Sequence, residues 1–170
     1  MHNDDGFTLI ELLLVVAIIG ILAALGIPGL LRARQSGNEA SAIGSVRAIS
    51  AGQTAFSSSC GGGGYAETLN ALATAPPGGA SFVSPDVTAA KSGYLIVNTG
   101  SGAVVLPAAG TCNAVADARR GYLVTATPIT VGSTGQRSFA SDQQGTIYQD
   151  HTGALLTAPL ASGGTVTVLQ

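Results

Sequence analysis

Apolar residues are distributed very unevenly along the chain. From Leu12 to Leu31 it reads LLLVVAIIGILAALGIPGLL, twenty residues with no charge and no strongly polar side chain. As a helix rising about 1.5 Å per residue, this run is roughly 30 Å long, the thickness of a bilayer's hydrocarbon core. Apolar side chains occupy every side of it, so the segment is expected to be buried in lipid, in protein, or in each at different times. Past Arg32 the pattern stays helical but becomes one-sided. Ala42, Ile43, Val46, Ile49 and Phe56 share a face, while Arg34, Glu39 and Arg47 are expected to point elsewhere. Gly37, Gly44 and Gly52 weaken this stretch as an isolated helix, so packing must hold it.

Ser57-Ser58-Ser59-Cys60 followed by four glycines ends the helical pattern. Residues 57–115 have a loop-like composition, broken again at Pro76-Pro77-Gly78-Gly79, with Tyr94–Val97 and Val104–Leu106 as strand candidates. In the last third, Tyr122–Thr127, Arg137–Ala140, Thr146–Tyr148 and Thr165–Leu169 read as strands. Asp142-Gln143-Gln144-Gly145 and Asp150-His151-Thr152-Gly153 read as turns. The expected class is α+β, a long N-terminal helix packed on a small antiparallel sheet. Its parts are 1–6, an apolar 7–31, an amphipathic 32–56, a Gly-rich 57–115 and a sheet over 116–170.

The apolar run is not an ordinary secretory signal. It is too long, no small-residue cleavage site follows it, and His2-Asn3-Asp4-Asp5 supplies no basic n-region. A plain single-pass anchor, oriented by Arg32 and Arg34, would place the C-terminus in the cytoplasm. The residues ahead of the run argue otherwise. Gly6-Phe7-Thr8-Leu9-Ile10-Glu11-Leu12 closely resembles the prepilin peptidase motif of type IV pilins and pseudopilins. The resemblance covers roughly residues 6–34, and Gly20 and Pro28 also fall where that family commonly has Gly and Pro.

The resemblance implies cleavage between Gly6 and Phe7, N-methylation of Phe7, and export of the C-terminal head to the periplasm. It implies partners too: the peptidase, an inner-membrane assembly platform, the membrane before assembly, and further copies of the chain in a helical homopolymer. Glu11 then pairs with the Phe7 amine of a neighbouring subunit; the plainer alternative is a carboxylate snorkelling to the interface. Pro28 is either a static kink or, as the family suggests, the end of a stretch from Gly20 that loses helicity on packing. The run GYLVTATPI…RSFASDQQGTIY also resembles pilin sheets.

Charge and cysteines refine this picture. Nine acidic residues oppose seven basic ones, and removal of Asp4 and Asp5 leaves seven of each. That balance points away from nucleic acid as the main partner, and Arg119-Arg120 reads as solvated surface. Export would carry Cys60 and Cys112 into an oxidising compartment, where a bond closing a loop of about 50 residues persists; two reduced buried thiols are the alternative. No catalytic, cofactor or metal-binding constellation is expected. His151 falls in a turn, the cysteines lack zinc or redox spacing, and Asp142 and Asp150 lack an alternating set of oxygen ligands. The expected function is a non-enzymatic pilus subunit; twitching motility, cell adhesion and DNA uptake are all tasks open to such a filament. The alternatives are a pseudopilin of a type II secretion system, or a minor tip pilin that binds a surface or DNA.

Overall fold

A computed structural model describes residues 7–87 and 90–169. The chain divides into two compact units, one through Arg34 and one from Gln35 onward. One helix, α1 (Leu9–Ser59), supplies residues to both. Its N-terminus is closed by a reciprocal cap. Glu11 N donates to Thr8 Oγ1 at 3.3 Å, while Thr8 N and Thr8 Oγ1 donate to Glu11 Oε2 at 3.1 and 2.8 Å. These bonds satisfy backbone donors that the first helical turn leaves open. Pro28 lies inside α1.

The second unit is the head. Ala42, Val46, Ile49 and Phe56 of α1 are buried, as their spacing predicts, and cluster with Tyr94, Ile96, Val124, Ala126 and Phe139 of the sheet. Burying a side chain of this size contributes about 1.5–3 kcal/mol. Short elements follow the helix: β1 (Tyr65–Ala66) and α2 (Leu69–Ala73), whose first turn is capped by Thr68. The long strands are β2 (Tyr94–Leu106) and β3 (Ala118–Pro128), then β4 (Ser138–Asp142), β5 (Ile147–Asp150) and β6 (Val166–Val168). All pairings are antiparallel, in the order β1-β3-β4-β5-β6 with β2 also on β3.

The antiparallel sheet and its helix agree with the expected α+β class; the details differ in instructive ways. The helix continues past Phe56 to Ser59, where Cys60 N and Gly61 N both donate to Phe56 O. Gly62 and Gly63 then take φ of 58° and 90°, which turns the chain out of the helix at little steric cost. The stretch read as loop-like holds a strand of 13 residues, because β2 absorbs Gly100, Ser101 and Gly102 through a register shift between Ser101 and Val104. Gly52 has its own reason. A Cβ there would lie 2.6 Å from Val83 Cγ1 and 2.8 Å from Phe82 O, so the helix approaches the 82–83 backbone more closely than any side chain permits.

Candidate functional site

Two groups of residues carry chemistry, one in each unit. In the first, Phe7 is 83% exposed and stands one residue before the capped helix. Gly6, the other half of the expected cleavage bond, lies outside the described residues. The cap holds the Glu11 carboxylate through Oε2 on Thr8. Oε1 has no partner among the described residues and is open to a cation. Every large apolar residue from Leu9 to Leu31 is exposed in the isolated chain, and the segment is apolar and long enough to cross a membrane. Gly20 lies on this segment with nothing within 4 Å of the place a Cβ would occupy.

In the head, Cys60 and Cys112 form a disulfide, with Cα atoms 4.8 Å apart across a sequence separation of 52. It ties the end of α1 to the 107–117 segment. That segment is held further by Asn113, which donates to Ala71 O at 2.7 Å and Thr74 O at 3.0 Å.

Glu39 corrects the sequence reading. Expected to point away from the core, it is 7% exposed and forms an ion pair with Arg137. Its Oε1 accepts from Gln136 N at 2.9 Å and Arg137 N at 3.2 Å, and its Oε2 from Arg137 Nε at 2.9 Å. Two further α1 side chains grip the same loop: Gln35 Nε2 donates to Gly132 O and Asn38 Nδ2 to Thr134 O. Burial alone would raise the Glu39 pKa, but the Arg137 hydrogen bond, the Gln136 amide and the Arg137 charge together hold it below the ordinary 4.5. Tyr94, whose hydroxyl donates to Arg137 O at 2.8 Å, is pushed well above the usual tyrosine value by burial and then by the Glu39 charge.

A second internal polar link was also invisible in the pattern. Gln53 is fully buried, donates to Ala66 O and Asn98 Oδ1, and accepts from Ala66 N at 2.8 Å. It thus satisfies the backbone of β1 from the helix. Arg119 departs from its expected place as solvated surface; half-buried, it pairs with Glu67 at 2.7 Å, while Arg120 is exposed. The only sequence hint for these partners was the presence of polar residues on an otherwise apolar face.

Neither acidic turn residue is free. Asp142 accepts from Gln144 N, while Asp150 accepts from Thr152 N, Thr152 Oγ1 and Thr165 Oγ1. The Thr152 hydroxyl, then Thr165 and the backbone amides, keep the Asp150 pKa low against the effect of burial. His151 is exposed, with Nε2 3.2 Å from Thr167 Oγ1. Among the described residues no three His, Cys, Asp or Glu side chains form a group able to hold a metal ion.

Comparison with known proteins bears on the first unit most directly. Residues 1–27 match the prokaryotic N-terminal methylation motif. The chain is 64% identical over 39 residues to the type IV wide pilus major component PilA4 of Thermus thermophilus, a match spanning 23% of this chain and 30% of that protein. It is 38% identical over 77 residues to the type IV major pilin protein PilA of Myxococcus xanthus, spanning 45% of this chain and 34% of that one. These similarities support a type IV pilin family. The matches span about a third of the length of these curated relatives. No solved structure matches the chain. The matched residues include Phe7, Thr8, Glu11 and most of the exposed apolar part of α1.

Proposed function

We propose that this pilin is the structural, non-enzymatic subunit of a type IV pilus. It is anchored in the inner membrane by residues 7–31 with its head in the periplasm. The peptidase cleaves between Gly6 and Phe7 and methylates the new amine. An inner-membrane platform then adds the subunit to a homopolymer of the same chain. The carrying observation is the Leu9–Leu31 part of α1: apolar on all sides, its large apolar side chains all exposed, and with a single acid, Glu11, in its first turn. Such a surface is stable in lipid or among copies of itself, and not in water.

Within the assembly, Glu11 Oε1 takes the Phe7 amine of an adjacent subunit while Oε2 keeps its bonds to Thr8. Gly20 and Pro28 mark the stretch of α1 whose helical bonds are weakest and which yields on packing. Both relatives are named for pili, which favours a pilus over a secretion pseudopilus. Intact-mass measurement and N-terminal sequencing of envelope protein test the processing step. The expected product begins at methylated Phe7; a chain that retains Met1, or one cut after Leu31, overturns it.

A further inference from the structure

The apolar run of α1 ends in two cations. Ile27, Leu30, Leu31 and Arg34 recur at the spacing of one helix face and line a groove of about 200 Å³. The groove therefore has an apolar floor and a guanidinium at one end. All four residues are exposed, and all lie in the unit that ends at Arg34. Arg32, also exposed, is two residues away, so it stands at nearly the same depth but about 200° around the helix.

Neither arginine has a hydrogen bond or an ion pair among the described residues. The chain offers little to change that. No acid occurs between Leu12 and Asn38, and Glu39, the next one, is held by Arg137. Two uncompensated charges thus stand on opposite sides of one helix, one of them at the mouth of an apolar groove.

Four occupants can be compared on this geometry. An inorganic anion would meet Arg34 and leave the floor bare. An uncharged acyl chain would cover the floor and leave the guanidinium without a counter-charge. One acid on a neighbouring copy would reach one arginine, since the two face different sides. A layer of lipid headgroups surrounds a helix at a single depth, meets both cations and supplies a chain for the groove. Along the axis, Arg32 and Arg34 lie about 32–35 Å beyond Glu11, so a span with Glu11 at one boundary puts both among the headgroups of the other.

We propose that this end of α1 binds anionic phospholipid of the leaflet facing the head. Ile27, Leu30 and Leu31 take the upper part of an acyl chain, Arg34 takes its phosphate, and Arg32 takes a second headgroup on the far side. A zwitterionic headgroup brings its own cation to the phosphate, whereas an anionic one leaves that phosphate to the arginine fork. The inference deepens the anchoring reading and rests on it.

The test uses the full chain in an uncharged detergent, with isoleucine and leucine methyls and arginine Nε labelled for NMR. Dioctanoyl phosphatidylglycerol is titrated in, against dioctanoyl phosphatidylcholine, dioctanoylglycerol and inorganic phosphate. Saturable shifts are expected with phosphatidylglycerol at the Ile27, Leu30 and Leu31 methyls and at Nε of Arg32 and Arg34. Arg34→Gln should weaken the response of the groove methyls about fivefold, the effect of one basic residue at a lipid surface; Arg34→Lys should weaken it less. Leu30→Ala, on the exposed face, should weaken it through the floor. The proposal fails if phosphatidylglycerol shifts none of these groups, if phosphatidylcholine or dioctanoylglycerol binds as tightly, or if Arg34→Gln binds phosphatidylglycerol as well as the parent. Shifts that follow protein concentration in place of lipid would assign the groove to a second copy and also overturn it. Carbonate extraction of membranes carrying the parent chain separates the two readings. Release of the parent overturns the anchoring and this proposal with it; absence of the lipid shifts in a chain that resists extraction overturns this proposal alone.

Discussion

Between Leu12 and Leu31, α1 exposes every large apolar side chain it has; between Ala42 and Phe56 the same helix buries Ala42, Val46, Ile49 and Phe56 and sets among them Gln53, which bonds to Ala66 and Asn98. The first stretch has no preferred face and so carries no instruction about a particular neighbour. The second has one face, and the side chains on it (Glu39, Gln53, Gly52) each match one place on the head. A helix can therefore be non-committal at one end and specific at the other. The difference lies in whether its polar and small residues have partners within the chain.

The largest expected effect tests the non-committal end. Glu11→Ala should abolish surface filaments counted by electron microscopy, while the mature chain still begins at Phe7 and remains in the membrane. Glu11→Gln separates two roles, since it keeps an acceptor for the Thr8 cap but loses the charge. Loss of filaments in both variants supports amine pairing; filaments restored by glutamine would assign Glu11 to capping alone.

Next come the ties of the specific end. Replacing Cys60 and Cys112 together by Ser opens a loop of 52 residues and should lower head stability by about 4 kcal/mol, read by chemical denaturation. An unchanged midpoint under non-reducing conditions would show that packing alone orders the 107–117 segment. Glu39→Ala leaves Arg137 and the Gln136 amide without their acceptor and should cost on the order of 3 kcal/mol. The sign of its pH effect is fixed. The folded pKa of Glu39 lies below 4.5, so its stabilisation is full above that value and is lost as pH falls through the lower folded value. Glu39→Gln should therefore flatten the acid limb of the stability curve below pH 4.5; an unaltered limb would move that dependence to Asp150 or Asp86, whose pKa values are also lowered.

The smallest effect sets one glycine against another on the same helix. Gly52→Ala places a methyl against Val83 and the Phe82 carbonyl and should destabilise the head by about 2 kcal/mol. Gly44 has nothing within 4 Å, so Gly44→Ala should stabilise the isolated subunit by about 0.5–1 kcal/mol through helix propensity. Thermal melts of the two variants should move in opposite directions. Equal destabilisation would mean that Gly44 also faces a close neighbour.

The residues alone determined the apolar helix, the motif ahead of it, the buried stripe from Ala42 to Phe56 and the approximate positions of β3 to β6. These are properties of local order: hydrophobic period, β-branched content and turn residues act over a few neighbours, and a methylation motif is contiguous. The tertiary structure decided what depends on distant partners. Glu39 looks like a surface acid in any window of the sequence, and becomes a buried acceptor only because the 134–137 loop, some 97 residues later, presents its N–H groups there. The same holds for Gln53 against β1, for Gly52 beneath Val83, and for β2, whose glycines read as a break until β3 supplies a continuous partner. A groove beside Leu155 belongs to this class as well, because its lining comes from β2, β3 and the 153–157 segment, which are separated in sequence. Local pattern specifies which atoms need burial, and the long-range meeting of chain segments specifies which polar atoms may be buried with them, because a polar group is stable inside only where a partner arrives from elsewhere in the chain.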